Sequence, residues 1–162
     1  QLELNQVAFR RDGRIIAQYK LDAEIPYVEN GMLLAVDHVN KTIRMPEDNQ
    51  VKGLALNYTT EHMYDERLVH GLKHFRLDNG TFLPRLGLLA DSDRYTTNAV
   101  CYDNEVYTTE EAALAAAKYG VPCENGYIKL VAERPEKGFA VEVLEITTMS
   151  DGQKAVKFGV LN

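Results

Sequence analysis

The 162-residue sequence has no tryptophan, only two cysteines and five prolines, and no excess of positive charge. Each shortage removes a class of protein. Two cysteines cannot build a disulfide-rich secreted scaffold, and Cys101 and Cys123 follow neither a CxxC nor a Cys/His zinc spacing. We read them as two reduced, partly buried thiols, with a single disulfide as the alternative. Lys plus Arg number 18 against 24 Asp plus Glu, giving a net charge of −6 that is spread along the chain rather than gathered in a tail. Without a basic patch to neutralise phosphates, nucleic acid is not an expected partner. The longest apolar runs, Met32 to Val36 and Ala112 to Ala117, fall far short of the roughly 20 residues that a spanning helix needs, so no membrane partner is expected either. The sequence opens on Gln rather than Met, which we read as a processed or trimmed start.

Catalytic signatures are missing too. Neither GxGxxG nor GxxxxGK[ST] occurs, so no loop cradles a phosphate. Ser92 and Ser150 lie in Asp-flanked turns without a GxSxG elbow, and neither cysteine sits in a nucleophile signature. Asp91, Asp93, Asp103 and Glu105 gather carboxylates, yet they lack the ligand alternation and central Gly of an EF-hand loop and read as a solvated face.

What remains is largely strand patterning. Val7 to Phe9 and Ile15 to Tyr19 flank Arg11-Asp12-Gly13-Arg14, which predicts a hairpin closed by an Asp-Gly type I′ turn. After Pro26 and the turn pair Asn30-Gly31 come Met32 to Val36, then Thr42 to Met45 with period two, then Val51 to Tyr58. Phe82 to Leu89 reads as a strand edge or start because Pro84 has no amide to donate. The tail predicts strands at Tyr127 to Ala132, Phe139 to Thr147 and Ala155 to Leu161, the last two joined through Ser150-Asp151-Gly152-Gln153. Val156, Phe158 and Val160 alternate with Ala155, Lys157 and Gly159, as on a half-buried antiparallel strand.

Two segments have helical spacing. Thr109 to Tyr119 is Ala-rich, opens on a capping box at Thr108-Thr109-Glu110-Glu111 and is expected to stop at Gly120 and Pro122. Tyr64, Leu68, Leu72 and Phe75 mark one face of a shorter or broken helix weakened by Gly71. On this segment His62, Glu66, His70 and His74 recur every four residues, and a continuous helix would stack them as divalent-metal ligands. The competing reading is a solvated polar stripe. The expectation is no resident metal or cofactor, with that His/Glu stripe kept as the site of an alternative metal-dependent enzyme. Nine tyrosines keep a ligand-binding β module as a further alternative.

The expected fold is thus a β-rich α+β domain over residues 1–162, a small antiparallel barrel or tulip-like sheet with one firm helix at about 109–119, and a candidate subdomain break near 91–94. Pro26 to Gly31, Met32-Leu33-Leu34-Ala35-Val36-Asp37, Thr42-Ile43-Arg44-Met45 and Val51-Lys52-Gly53-Leu54-Ala55-Leu56 form a succession that resembles the small head-decoration and accessory virion proteins of tailed bacteriophages. Phe82 to Gly87, Tyr95 to Asp103 and Thr147 to Phe158 look similar to phage structural proteins as well. The resemblance implies a non-enzymatic chain located in the virion, assembled in the host cytoplasm. Its partners would be the major capsid protein or another virion protein and further copies of itself. It transfers no catalytic residues. The Thr60 to Phe75 block and the Thr109 to Tyr119 helix exceed the minimal tulip, which leaves outer decoration, head-fibre base and connector or tail roles open. Gln1 to Phe9 reads as the first strand, with a docking arm as the alternative.

Overall fold

The computed structural model describes residues 1–47, 50, 53–61 and 75–161. In chain order the first part holds β1 (Leu2–Gln6), α1 (Ala8–Asp12), β2 (Ile15–Ile16), β3 (Lys20–Leu21), β4 (Tyr27–Val28), β5 (Leu33–Asp37), β6 (Thr42–Arg44) and β7 (Leu54–Asn57). The second holds β8 (Leu77–Asp78), β9 (Leu86–Leu88), β10 (Arg94–Thr97), β11 (Val100–Cys101), α2 (Glu110–Ala116), β12 (Tyr119–Pro122), β13 (Ile128–Val131), β14 (Ala140–Thr148) and β15 (Lys154–Leu161).

Seven strands form one sheet in the order β1-β10-β15-β14-β12-β13-β11, and six form another in the order β2-β9-β7-β5-β6-β3. Pairings are antiparallel except β11 with β13 and β3 with β6; β4 and β8 make a separate pair. With 41% strand and, among the described residues, two short helices, the chain is β-rich α+β, as the sequence predicts. The sheets stay open rather than closing into a barrel. The chain crosses from the first sheet to the second between β1 and β2 and back between β9 and β10.

The apolar run of β5 follows from its place in the sheet. Side chains alternate across a strand, so a strand covered on both faces must be apolar at every position. Leu33 and Leu56 enter a core with Phe9, Tyr95, Phe158 and the α2 residues Ala113 and Leu114. Their neighbours Leu34 and Ala55 enter a second core with Ile16, Ile43, Leu77 and Leu86. β15, between β10 and β14, also carries buried residues on both faces, Ala155 and Gly159 included, rather than the half-buried pattern predicted.

Three local predictions are corrected. Val7 to Tyr19 is not a hairpin: Ala8–Asp12 is helical, and Ile15–Ile16 pairs with β9. Gly13, at φ 70°, caps that helix in the left-handed region; a helix end and a type I′ turn ask for the same residue, and the full burial of Phe9 decides between them. The second helix ends at Ala116, because Tyr119–Pro122 is recruited as β12 and the expected stop residues lie in a strand. Gly120 is required there: a Cβ would stand 2.4 Å from Ile128 Cγ2 and 2.9 Å from Val141 Cγ2. Finally, Thr109 rather than Thr108 is the N-cap, accepting from the Ala112 amide at 3.2 Å, and Glu111 turns outward to Lys154 Nζ at 2.8 Å. The Gln1 to Phe9 segment supplies an edge strand, β1, paired along β10.

Candidate functional site

The His62, Glu66, His70 and His74 stripe lies outside the described residues, as does most of the helical pattern through Tyr64, Leu68 and Leu72. The carboxylates flagged in the sequence are employed separately. Asp93, 4% exposed, accepts from the Ala8 amide at 2.7 Å and the Ala90 amide at 2.8 Å, tying the start of α1 to the turn before β10. Asp103 accepts from the Glu105 amide at 2.9 Å and faces Lys129 Nζ at 3.8 Å. Among the described residues no group of three or more His, Cys, Asp or Glu is arranged to hold a metal. A cleft of about 450 Å³ opens beside Asp93, with Asn5, Arg10, Arg11 and Ser92 on its walls. Of the tyrosines offered as a contact surface, Tyr95 is fully buried, while Tyr127 donates to Glu29 Oε2 at 3.0 Å and Tyr19 meets His38 Nδ1 at 3.1 Å at the surface.

The most exposed regular feature is the second half of β14. Its first half is held on both sides, by β15 and by β12 through Val141 and Glu142, with a last bond from the Val143 amide to the Lys118 carbonyl at 2.8 Å. A bulge falls between Val143 and Glu145. Beyond it, Glu145 to Thr148 pair with β15 alone among the described residues, and β12 has turned away toward α2. Bulges bend a strand and end pairing, so the partnerless edge follows from this extra residue. Leu144 and Ile146 remain 42% and 45% exposed there. Leu144 covers Gly159, while Ile146 stands opposite the buried Val156. The sequence places a strand here without showing that its second neighbour stops halfway. The apolar Leu144 and Ile146 flanking Glu145 were the available signal.

A second concentration of polar groups sits where β5 begins. Asn57, fully buried, donates to the Glu29 carbonyl at 2.9 Å and accepts from Thr59 Oγ1 at 2.7 Å, and Thr59 in turn accepts from the Arg85 amide at 3.0 Å. Asn30 Nδ2 reaches the Thr59 carbonyl at 2.8 Å and Glu61 Oε1 at 3.1 Å. Gly31 is packed so closely that a Cβ would overlap Thr97 Oγ1. This network closes the junction of the two sheets with few unmade bonds, a structural use of buried polar groups.

The two cysteines are free and half-buried, as read from the sequence. The fold also brings them together, which a spacing of 22 positions does not reveal. Cys101 lies on β11 opposite Lys129, and Cys123 ends the β12 side of the hairpin, its amide donating to the Tyr127 carbonyl at 3.1 Å. Burial first, then the neighbouring Cys123, push Cys101 up to about 12. Tyr127 on the same face is also raised to about 12, by burial and then by Glu29.

Comparison with protein-family models, curated proteins and solved structures finds no match.

Proposed function

We propose that this chain is a non-enzymatic structural protein of a phage virion, a capsid-decorating or minor capsid component that binds the shell and stabilises it. The observation behind this reading is the half-open strand β14, whose Leu144 to Thr148 edge offers backbone donors and acceptors beside two exposed apolar side chains. Such an edge takes up a further strand by continuing the ladder, a mode in which main-chain bonds give affinity and the alternating side chains give selectivity. β1, at the rim of the same sheet, is a second edge of this kind among the described residues. Proteins with free edges protect them against indiscriminate pairing, and Glu145, between the two apolar residues, with a net charge of −6 overall, serves that purpose until the partner is met. The resemblance of the sequence to virion proteins supplies the partner class, a capsid protein or copies of the chain itself.

The test is sedimentation across a range of protein concentrations, with and without purified shells. Concentration-dependent oligomers and co-sedimentation with shells, both weakened by Ile146→Lys, are the expected result. A strictly monomeric protein that ignores shells would overturn the reading.

A further inference from the structure

The two edges of the larger sheet that lack a second neighbour among the described residues, β1 and the far half of β14, are separated only by β10 and β15. The four strands pair antiparallel in turn, so β14 runs opposite to β1. β1 spans Leu2 to Gln6, and the open stretch of β14 spans the same length, Leu144 to Thr148. Opposed residues share a face, so the side chains of both edges sort into the same two rows. Leu2 and Leu4 oppose the buried Thr97 and Tyr95 and pack on the core that holds Phe158. Ile146 opposes Val156 of that same core. Each edge thus leaves apolar side chains of the core face incompletely covered. The outer row carries Glu3, opposite Thr96, with Glu145 and Thr147, opposite Lys157 and Ala155.

We propose that β14 of one copy pairs antiparallel with β1 of the next, joining the chains head to tail through one continuous sheet, an inference that rests on reading β14 as a docking edge. Since β14 already runs antiparallel to β1 within the chain, every copy keeps the same orientation along such a sheet. A heterologous contact of this kind closes as a ring or runs on as a filament. Face and charge fix its register. To continue the core face, Ile146 comes to lie beside Leu2 or Leu4. Beside Leu2 it would set Glu145 against Glu3, like charges directly opposed across a ladder. Beside Leu4 it sets Thr147 against Glu3 and Thr148 against Leu2.

In that register Glu145 falls opposite Asn5, on the wall of the cleft that Arg10 and Arg11 also line. Arg11 is held by Asp12 at 3.0 Å, while Arg10 has no ion pair among the described residues. Asp91 and Asp93 line the cleft as well, but Asp93 is buried and spent on the Ala8 and Ala90 amides. Among the exposed charges of the cleft the two arginines therefore outnumber the one carboxylate, Asp91, and the incoming Glu145 is their complement. A second β14 fits this edge less well. In an antiparallel pair of two β14 strands centred on Ile146, Met149 and Ser150 fall opposite Val143 and Glu142 of the neighbour, where Lys118 and Tyr119 already lie. β1 avoids that collision, because the chain leaves the sheet after Gln6 and turns into α1.

The test is hydrogen exchange of the native chain across a range of concentrations, read beside sedimentation with and without purified shells. Amides of Leu2 to Gln6 and of Leu144 to Thr148 are expected to gain protection together, over the range in which oligomers form. Glu145→Arg, and Arg10→Glu combined with Arg11→Glu, should each weaken self-association about tenfold, and the chain carrying all three changes should return to within about threefold of the native one. Protection confined to β14, or native association in the chain with both arginines reversed, would overturn the head-to-tail contact. All three side chains are exposed, and exchange in the native chain decides alone should a variant fail to fold. A chain that stays monomeric yet sediments with shells removes this contact and leaves the shell reading standing. Oligomers that protect both edges but ignore shells keep the contact and remove the shell.

Discussion

The two halves of β14 share one backbone and differ in their neighbours. From Ala140 to Val143 the strand lies between β12 and β15, and Val141 is completely buried. From Glu145 to Thr148 it has β15 alone among the described residues, and Leu144 and Ile146 face outward. Composition does not separate them, since each half sets a glutamate between two apolar residues. What separates them is the bulge, which leaves one residue unopposed and lets β12 depart. Stability is therefore concentrated in the closed half and the capacity for contact in the open one.

The strongest way to break this contrast is through the closed half. Phe158, opposite Val143 and fully buried 5.9 Å from the Tyr95 ring centre, is expected to cost about 3–5 kcal/mol when replaced by Ala, measured as a shift in urea midpoint at unchanged slope. Gly120→Ala, which crowds Ile128 and Val141 where β12 holds β14, is expected to cost about 1–3 kcal/mol in the same assay. A loss equal to that of a surface substitution would show that the sheets part easily and would remove the contrast. Ile146→Lys in the open half should change stability by no more than about 0.5 kcal/mol while lowering self-association in sedimentation. A large stability loss there would mean that the open half is part of the core.

The smallest effect is that of pH, acting away from β14 through Tyr127. Its hydroxyl is raised from 10.0 to about 12, by burial first and then by Glu29, so the folded chain keeps its proton where the unfolded chain has lost it. That contribution is complete below about pH 10 and is lost as pH rises toward 12. Thermal melts from pH 9 to 11.5 should show a decline that Tyr127→Phe makes shallower.

Elements set by local pattern were legible in the sequence. β5, the β14–β15 hairpin with its turn at Ser150 to Gln153, and the start of α2 fall where periodicity, turn residues and capping place them. Elements set by distant neighbours were not. Gly13 satisfies a hairpin and a helix end equally, and only the burial of Phe9 chooses; Gly120 and Pro122 look like helix stops until pairing with β13 and β14 makes them a strand. The open edge and the thiol pair were hidden for the same reason. Each depends on which strand stops beside which, and parallel pairing of β11 with β13 brings together residues that no short window of sequence contains.

The pairing of β1 with β10 also governs how the molecule comes into being. Asn5 meets Thr96 across 91 positions, and β10 is flanked in turn by β15. A growing polypeptide therefore extends β1 long before β10 exists, and β1 cannot settle into the sheet until β10 and β15 have been made. Contacts of such long range slow the search for the native state and lengthen the time an unpaired edge is on offer. For a chain that we propose assembles with others, the order of synthesis thus keeps the first edge as a late commitment, closed by its own sheet only when the rest of the molecule is ready to dock.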